Sequence, residues 1–483
     1  MLAAAALAAW TGIELAGGNY LWPGLIAVLA VAAILSRVLQ LSFDIILLGF
    51  VLFGYLVGNR GFAQLMPVPG LPLLPAEIAL GVATAWRLIV CAFTRRLPFE
   101  RDTLHGLLFA WLVLGTARFV LDFPGYGMLA ARDFALVYYA VFFFLTVHIA
   151  RDPRARAWLL GCLVAGLLLL PVTLSLSIAL PALFYDTLTL HGSPVIFFKG
   201  DLAYTFIAVT AVTLFLGTRG RWRQLAWVVA TLLVLTVLNS NNRSSLAGLL
   251  VAAGLLLAAG RWWLPAWLTA LAVAACLALF ALATLGNNRW AEGKLAGAKD
   301  RMLSLVDLQG AKRYESEESS FKGANNRFRK VWWTNVLQET WSEGPVFGLG
   351  FGHDLAAGFL QEYYPESAAE EFTARSPHNV FLTVFGRLGV AGLVVWLSIC
   401  ALLLVRTWRS LRRDGASLDW GLWCGLWIIL VSATFGVVLE GPMGAVPFWI
   451  MLGLVAAPSP AEPAPASLDT TPTQEPVEAL TTA

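Results

Sequence analysis

The sequence predicts an all-α polytopic membrane protein of about 12–14 transmembrane helices with one large, partly helical periplasmic loop. Three observations carry this. The chain is 58% hydrophobic and only 13% charged, with mean hydropathy +0.72, whereas roughly a quarter of the residues of a soluble domain are charged. Apolar runs of spanning length recur along it, punctuated by Arg, Pro, Gly and Asp. The arginines fall in every second connection.

Taken in order, the spans are 2–17, 21–36, 43–58, 71–93, 105–123, 131–150, 157–182, 201–218, 224–240, 244–260, 262–286, 379–405, 420–438 and 443–457. The organisation is a helical region over 1–286, a loop or lid over 287–376, C-terminal transmembrane helices over 377–457, and a tail over 458–483. The tail is rich in Pro, Ala, Thr and Glu and has no aromatics, a composition that cannot bury enough apolar surface to fold, so it reads as disordered. The N-terminus lacks a basic leader and reads as a first span rather than a cleaved signal. Arg37, Arg95, Arg96, Arg101, Arg151, Arg154, Arg156, Arg219, Arg221, Arg223, Arg261, Arg406, Arg409, Arg412 and Arg413 occupy alternate connections. By the positive-inside rule both termini are cytoplasmic and the long loop lies on the opposite side.

A net charge of +3 is too small to suggest nucleic acid as a partner. The five cysteines sit inside apolar runs without disulfide or metal spacing. No metal motif is expected, because the outer face has no Asp-x-Asp pair and no His/Cys cluster. Positive charge for any phosphate-linked substrate must then come from arginines.

The interval 287–376 is too long for an ordinary connection. It mixes Lys294, Lys299, Arg301, Lys312, Arg313 and Lys322 with Glu315, Glu317, Glu318, Glu366, Glu370 and Glu371, which favours a folded, hydrated surface. Asn325 or Asn326 can cap a helix with apolar positions at Phe328, Val331, Trp332 and Val336, and Gly344-Pro345 ends it. The following Gly348-Leu349-Gly350-Phe351-Gly352 reads either as a phosphate cradle or as a plain turn.

Charges at the non-cytoplasmic membrane edge are expensive and therefore functional candidates. Arg243, in the hairpin Asn239–Ser245, is an anion clamp or a snorkelling turn residue. Arg327 opens the Trp-containing helix and offers a planar fork for phosphate oxygens, while Arg329 and Lys330 read as exposed basic surface. Arg118, Asp122, Arg132 and Asp133 suggest structural ion pairs around one short loop. Lys199 and Asp201 are ambiguous, and Glu440 reads as a turn residue. His378 stands where the long loop re-enters the membrane, after Pro377. It can bond a helix-end carbonyl or accept a proton from a hydroxyl at physiological pH.

This combination resembles the O-antigen ligase and Wzy polymerase superfamily of bacterial envelope glycosyltransferases. The resemblance rests on the many spans, Arg243 in a short outer hairpin, a large loop bearing Arg327, Trp332, Pro345, Gly348 and Gly350, and then His378 and Gly386–Gly392. It covers about residues 200–400. It implies a bacterial inner-membrane enzyme, without cofactor or metal, that moves a glycan from an undecaprenyl-pyrophosphate carrier to another glycan, lipid A core or protein. Carried over, Arg243 and Arg327 hold the pyrophosphate and His378 is the catalytic residue that orients or deprotonates the acceptor hydroxyl. Lys199 stands where family members often have a further arginine, and Arg132 is a second accessory candidate. The alternative reading is a lipid-linked saccharide flippase.

Overall fold

The computed structural model describes residues 9–14, 16–17, 21–66, 73–94, 102–190, 192–240, 242–285, 289–306, 317–363, 375–413 and 417–457. Among these the chain is mostly helical, and its named strands are the small antiparallel hairpin of β1 (Thr189–Leu190) with β2 (Ser193–Pro194). In order come α1 (Leu21–Leu39), α2 (Phe43–Ala63), α3 (Pro75–Thr94) and α4 (Thr103–Tyr126). Three short pieces, α5 (Met128–Asp133), α6 (Ala135–Tyr138) and α7 (Val141–Ile149), follow one another as a single membrane-length stretch. Then come α8 (Pro153–Ala179), α9 (Gly200–Gly217), α10 (Arg223–Asn239), α11 (Arg243–Ala258), α12 (Trp263–Leu285), α13 (Arg289–Val306), α14 (Glu317–Glu343), α15 (Ala357–Tyr363), α16 (Val380–Arg412), α17 (Ser417–Ala433) and α18 (Pro442–Ala456).

Nine stretches among the described residues are long and apolar enough to cross a membrane, and four shorter apolar helices accompany them. The protein is therefore an all-α, multi-pass membrane protein. Each expected span from 21–36 onward coincides with a helix; half of span 2–17 lies outside the described residues, as does all of the tail 458–483. Apolar side chains such as Ile178, Leu232 and Leu277 face outward, which suits a lipid solvent.

The core is built on small residues that let backbones approach. A Cβ on Gly166 would lie 2.7 Å from Leu56, and one on Gly421 would lie 2.9 Å from the Thr213 backbone. Hydroxyls link three helices: Ser432 on α17 bonds Thr205 of α9 at 2.6 Å and Ser244 of α11 at 2.9 Å. The arginine-rich connections meet at one end, where Arg154 donates to Gln40, Arg406 pairs with Asp102, and Arg261 donates to the Leu411 carbonyl. Since α16 runs from Val380 to Arg412, that end is opposite His378.

Two helices break near the His378 end. In α2, Asn59 is buried at φ 51°. The strand-like segment before α9 fills the gap: the Phe197 amide donates to the Gly58 carbonyl, and the Lys199 amide donates to Asn59 Oδ1 at 3.0 Å. In α16, Gly389 adopts φ 61°, and the amides of Val390 and Ala391 are taken by the carbonyls of Pro345 and Val346 at 2.9 and 3.0 Å. Breaks survive at membrane depth only where such partners exist.

The Gly348–Gly352 turn is the piece that fills the α16 break. A Cβ at Gly348 would sit 2.4 Å from the Arg387 carbonyl carbon, and one at Gly352 would sit 2.3 Å from Tyr126. Its amides are held by carboxylates, Phe351 by Asp122 at 2.7 Å and Gly352 by Asp133 at 2.9 Å. The glycines thus serve close docking rather than either of the two roles the sequence suggested. Of the expected local ion pairs Arg118–Asp122 forms at 2.9 Å, whereas Asp133 pairs outside its loop with Arg387 at 2.8 Å. Arg387 is buried and also donates to the carbonyls of Gly350 and His353.

Candidate active site

His378 is held in a left-handed conformation, φ 54°, that a non-glycine residue adopts only when its surroundings impose it. Those surroundings are visible on each side. Ser376 Oγ donates to Glu440 at 2.7 Å, and Thr383 Oγ1 donates to the same carboxylate oxygen at 3.1 Å. Glu440 comes from the α17–α18 connection, so it closes a clasp around the re-entry segment. Burial pushes its carboxyl up, and the bonds from Ser376 and Thr383 work against that. Asn379 caps α16 by accepting from the Phe381 and Leu382 amides.

The long helix α14 covers the imidazole. Trp333 Nε1 donates to the Pro377 carbonyl at 2.7 Å, and the Trp332 ring meets His378 edge-on with centroids 5.8 Å apart. Trp332 is itself fixed, bonding the Leu355 carbonyl at 2.7 Å within a small core of Val336, Leu355, Ala356 and Phe359. The helix ends at Gly344 as the sequence suggests, but it begins at Glu317 and runs through Asn325 and Asn326 instead of being capped by them.

Electrostatically, four further side chains converge here. Burial pushes His378 down to about 4; the cations of Arg329 and Lys199 push the same way, and Asp201 opposes them. Burial likewise disfavours the charge on Arg329, with Arg243 adding repulsion and Asp201 offsetting it. Lys199 and Asp201 approach to 3.5 Å. The Asp201 carbonyl also accepts from Asn242 at 2.8 Å, which joins the start of α9 to the cap of α11, where Arg243 is the first residue. Two cations, Arg329 and Lys199, and one carboxylate, Asp201, therefore act on a neutral imidazole, with Arg243 beyond Arg329, in a half-buried setting where charge interactions are stronger than in water.

Of the residues singled out in the sequence, the structure brings together His378, Arg243 and Lys199. Arg327 is exposed, and Arg329 takes the position expected for it. The reason is helical geometry: two residues rotate a side chain by about 200°, so only one of the pair can face His378. The available signal was the four-residue spacing of Arg329 and Trp333. Arg132 is exposed and has no part in this cluster, although its neighbour Asp133 pairs with Arg387. His353 bonds Glu339 at 2.8 Å, and His191 lies outside the described residues. Among the described residues no three His, Cys, Asp or Glu side chains gather as a metal site.

No curated protein matches the chain. Residues 227–397 match the family model described as O-antigen ligase, a stretch that holds Arg243, the whole of α14 with Arg329, the re-entry at His378 and the Gly389 break. Over that stretch the chain is similar to the O-antigen ligase family.

Proposed function

We propose that the protein transfers saccharide from an undecaprenyl-pyrophosphate carrier in a bacterial inner membrane to an acceptor hydroxyl, in the synthesis of surface polysaccharide. The similarity of residues 227–397 to the O-antigen ligase family model supports the coarser statement, a membrane enzyme of O-antigen ligase or polymerase type acting on lipid-linked glycan. The observation that carries the finer one is the meeting of Arg329 and Lys199 at the His378 imidazole, with Arg243 acting on Arg329. In this reading the site faces the periplasm, with the arginine-rich connections in the cytoplasm.

The guanidinium groups and the ammonium take the diphosphate oxygens, which bear the charge released as the bond from the sugar's anomeric carbon to phosphate oxygen breaks. The acceptor oxygen attacks the opposite face of that carbon, forming the new glycosidic bond with inversion. Its proton passes to the neutral His378 ring nitrogen. An imidazole titrating near 4 is a weak base, but the arriving diphosphate offsets the cations that lower it. Substrate binding thus prepares the base it needs. The acceptor is another glycan, lipid A core or a protein.

Alanine variants of Arg243, Arg329 and His378, assayed for turnover of carrier-linked glycan in membranes, should each lose product while the protein remains. Ordinary turnover in all three contradicts the proposal. A gene deletion separates the two subtypes: loss of a polymerase leaves single repeats on the acceptor, and loss of a ligase leaves polymer on the carrier.

A further inference from the structure

A cavity of about 500 Å³ lies at the arginine-rich end of the molecule, opposite His378. One wall is the elbow that joins α1 to α2, residues 38–41, and the other is the start of α8, which contributes Arg154, Ala157 and Trp158. That volume lies within the ~300–1,000 Å³ of small-molecule sites. The elbow is a helix end of unusual composition. Leu41 donates its amide back to the Ser36 carbonyl at 3.0 Å, and Gln40 before it takes φ 55°, the left-handed place that glycine usually fills. A glutamine held there needs a reason in its side chain. Its Oε1 accepts from Arg154 at 2.7 Å, so a guanidinium bridges the two walls and keeps its charge, because the partner is a neutral amide. Asp152, two residues away, is occupied in capping α8 by accepting the Arg154 amide. The Trp158 indole donates to the Ile45 carbonyl at 3.2 Å, which fixes its ring as a rigid wall.

We propose that this cavity is a site for an anionic glycerophospholipid of the leaflet at the arginine-rich end, with its phosphodiester at Arg154 and an acyl chain along α1. The positive-inside rule makes that leaflet the cytoplasmic one. Two observations favour this occupant over a soluble phosphate or a protein segment. Val38, in the cavity wall, continues a stripe with Ile34 and Val31, and the three are 70%, 61% and 47% exposed, so the cavity opens onto a face of α1 that suits lipid. A guanidinium joined in this way to an apolar face matches an amphiphile with an anionic head. The charge around it has the right sign as well: Arg37 and Arg151 are both exposed beside the same elbow and helix start, and basic recesses between helices at the cytoplasmic face hold anionic headgroups. A lipid seated there ties α1 to α8 across the elbow. The site is separate from the His378 cluster and does not depend on the proposed transfer reaction.

The test is photolabelling of the full-length protein in phosphatidylcholine nanodiscs that carry a trace of phosphatidylglycerol with a diazirine in one acyl chain. Adducts should concentrate on residues 31–41 and 154–158, and unlabelled phosphatidylglycerol should compete while phosphatidylethanolamine does not. Arg154→Ala should lower this labelling about fivefold, the weight of one basic residue at an anionic surface. Gln40→Gly relieves the left-handed strain and removes the amide that holds Arg154, so labelling should fall with no drop in melting temperature. That second variant separates a lost lipid from a lost fold. Arg409→Ala, exposed on the last turns of α16 at the same end, should label like the parent. Adducts spread evenly over the lipid-facing helices, equal competition by phosphatidylethanolamine, unchanged labelling in Arg154→Ala and Gln40→Gly, or an equal loss in Arg409→Ala would overturn the assignment.

Discussion

Trp333 on α14 donates its indole N–H to the carbonyl of Pro377, the residue before His378, at 2.7 Å. This bond ties the long loop's helix to the re-entry segment and couples the position of Arg329 to that of the imidazole. Trp333→Phe keeps the ring packing and removes the donor. A hydrogen bond of this kind contributes about 1 kcal/mol, so turnover in membrane vesicles should fall about fivefold at unchanged protein yield. Unchanged turnover would show that the tether does not set the geometry of the site.

Arg329 and Arg327 provide an internal comparison on one helix. Removing a single preorganised group that stabilises leaving-group charge costs about 10²–10³ in rate, and Arg329→Ala should show that loss. Arg327→Ala, at an exposed position, should remain within about twofold of the parent, as surface substitutions do. The opposite ranking would return the clamp role to Arg327.

The buried Arg387–Asp133 pair, 2.8 Å apart, joins α16 to the α5 segment and braces the turn beneath His353. Arg387→Met leaves the Asp133 charge without its cation and should destabilise the protein by about 3–5 kcal/mol, seen as a lowered unfolding temperature in detergent. Adding Asp133→Asn should restore most of it. If the double variant melts no higher than the single one, the pair is not what holds the turn.

Gly348 tests the docking of the turn directly. It sits at φ 74° against the Arg387 carbonyl carbon. Gly348→Ala should cost about 2 kcal/mol or more from the conformation alone, whereas Gly125→Ala, where an added methyl meets open space, should leave the melting temperature unchanged.

Hydropathy and arginine placement made the helices and their two unlike ends legible in the sequence, because both follow from composition in a lipid solvent. His378 and Arg243 were legible because ionisable groups beside apolar runs stand out. Arg329 was not, since Arg327, Arg329 and Lys330 are near neighbours in sequence and only the rotation of α14 distinguishes them. Glu440 and Asn59 were hidden for a different reason: their partners, Ser376 and Thr383 for one and Lys199 for the other, lie 57 to 140 positions away. Pairing over such distances leaves no local pattern. The Gly348–Gly352 turn looked like a loop motif because its counterpart, the break at Gly389, has no signal of its own beyond one more glycine.

The central claim is that Arg329 and Lys199 act on His378 and yield to a diphosphate. The direct measurement is the titration of His378 by NMR in ring-labelled, full-length protein, assigned by comparison with His378→Gln. The expected midpoint is about 4 in the free protein. It should move upward in Arg329→Gln, which removes a cation, and upward again in the parent when undecaprenyl diphosphate is added. A midpoint at the ordinary value of about 6.5, unmoved by either change, would contradict the account.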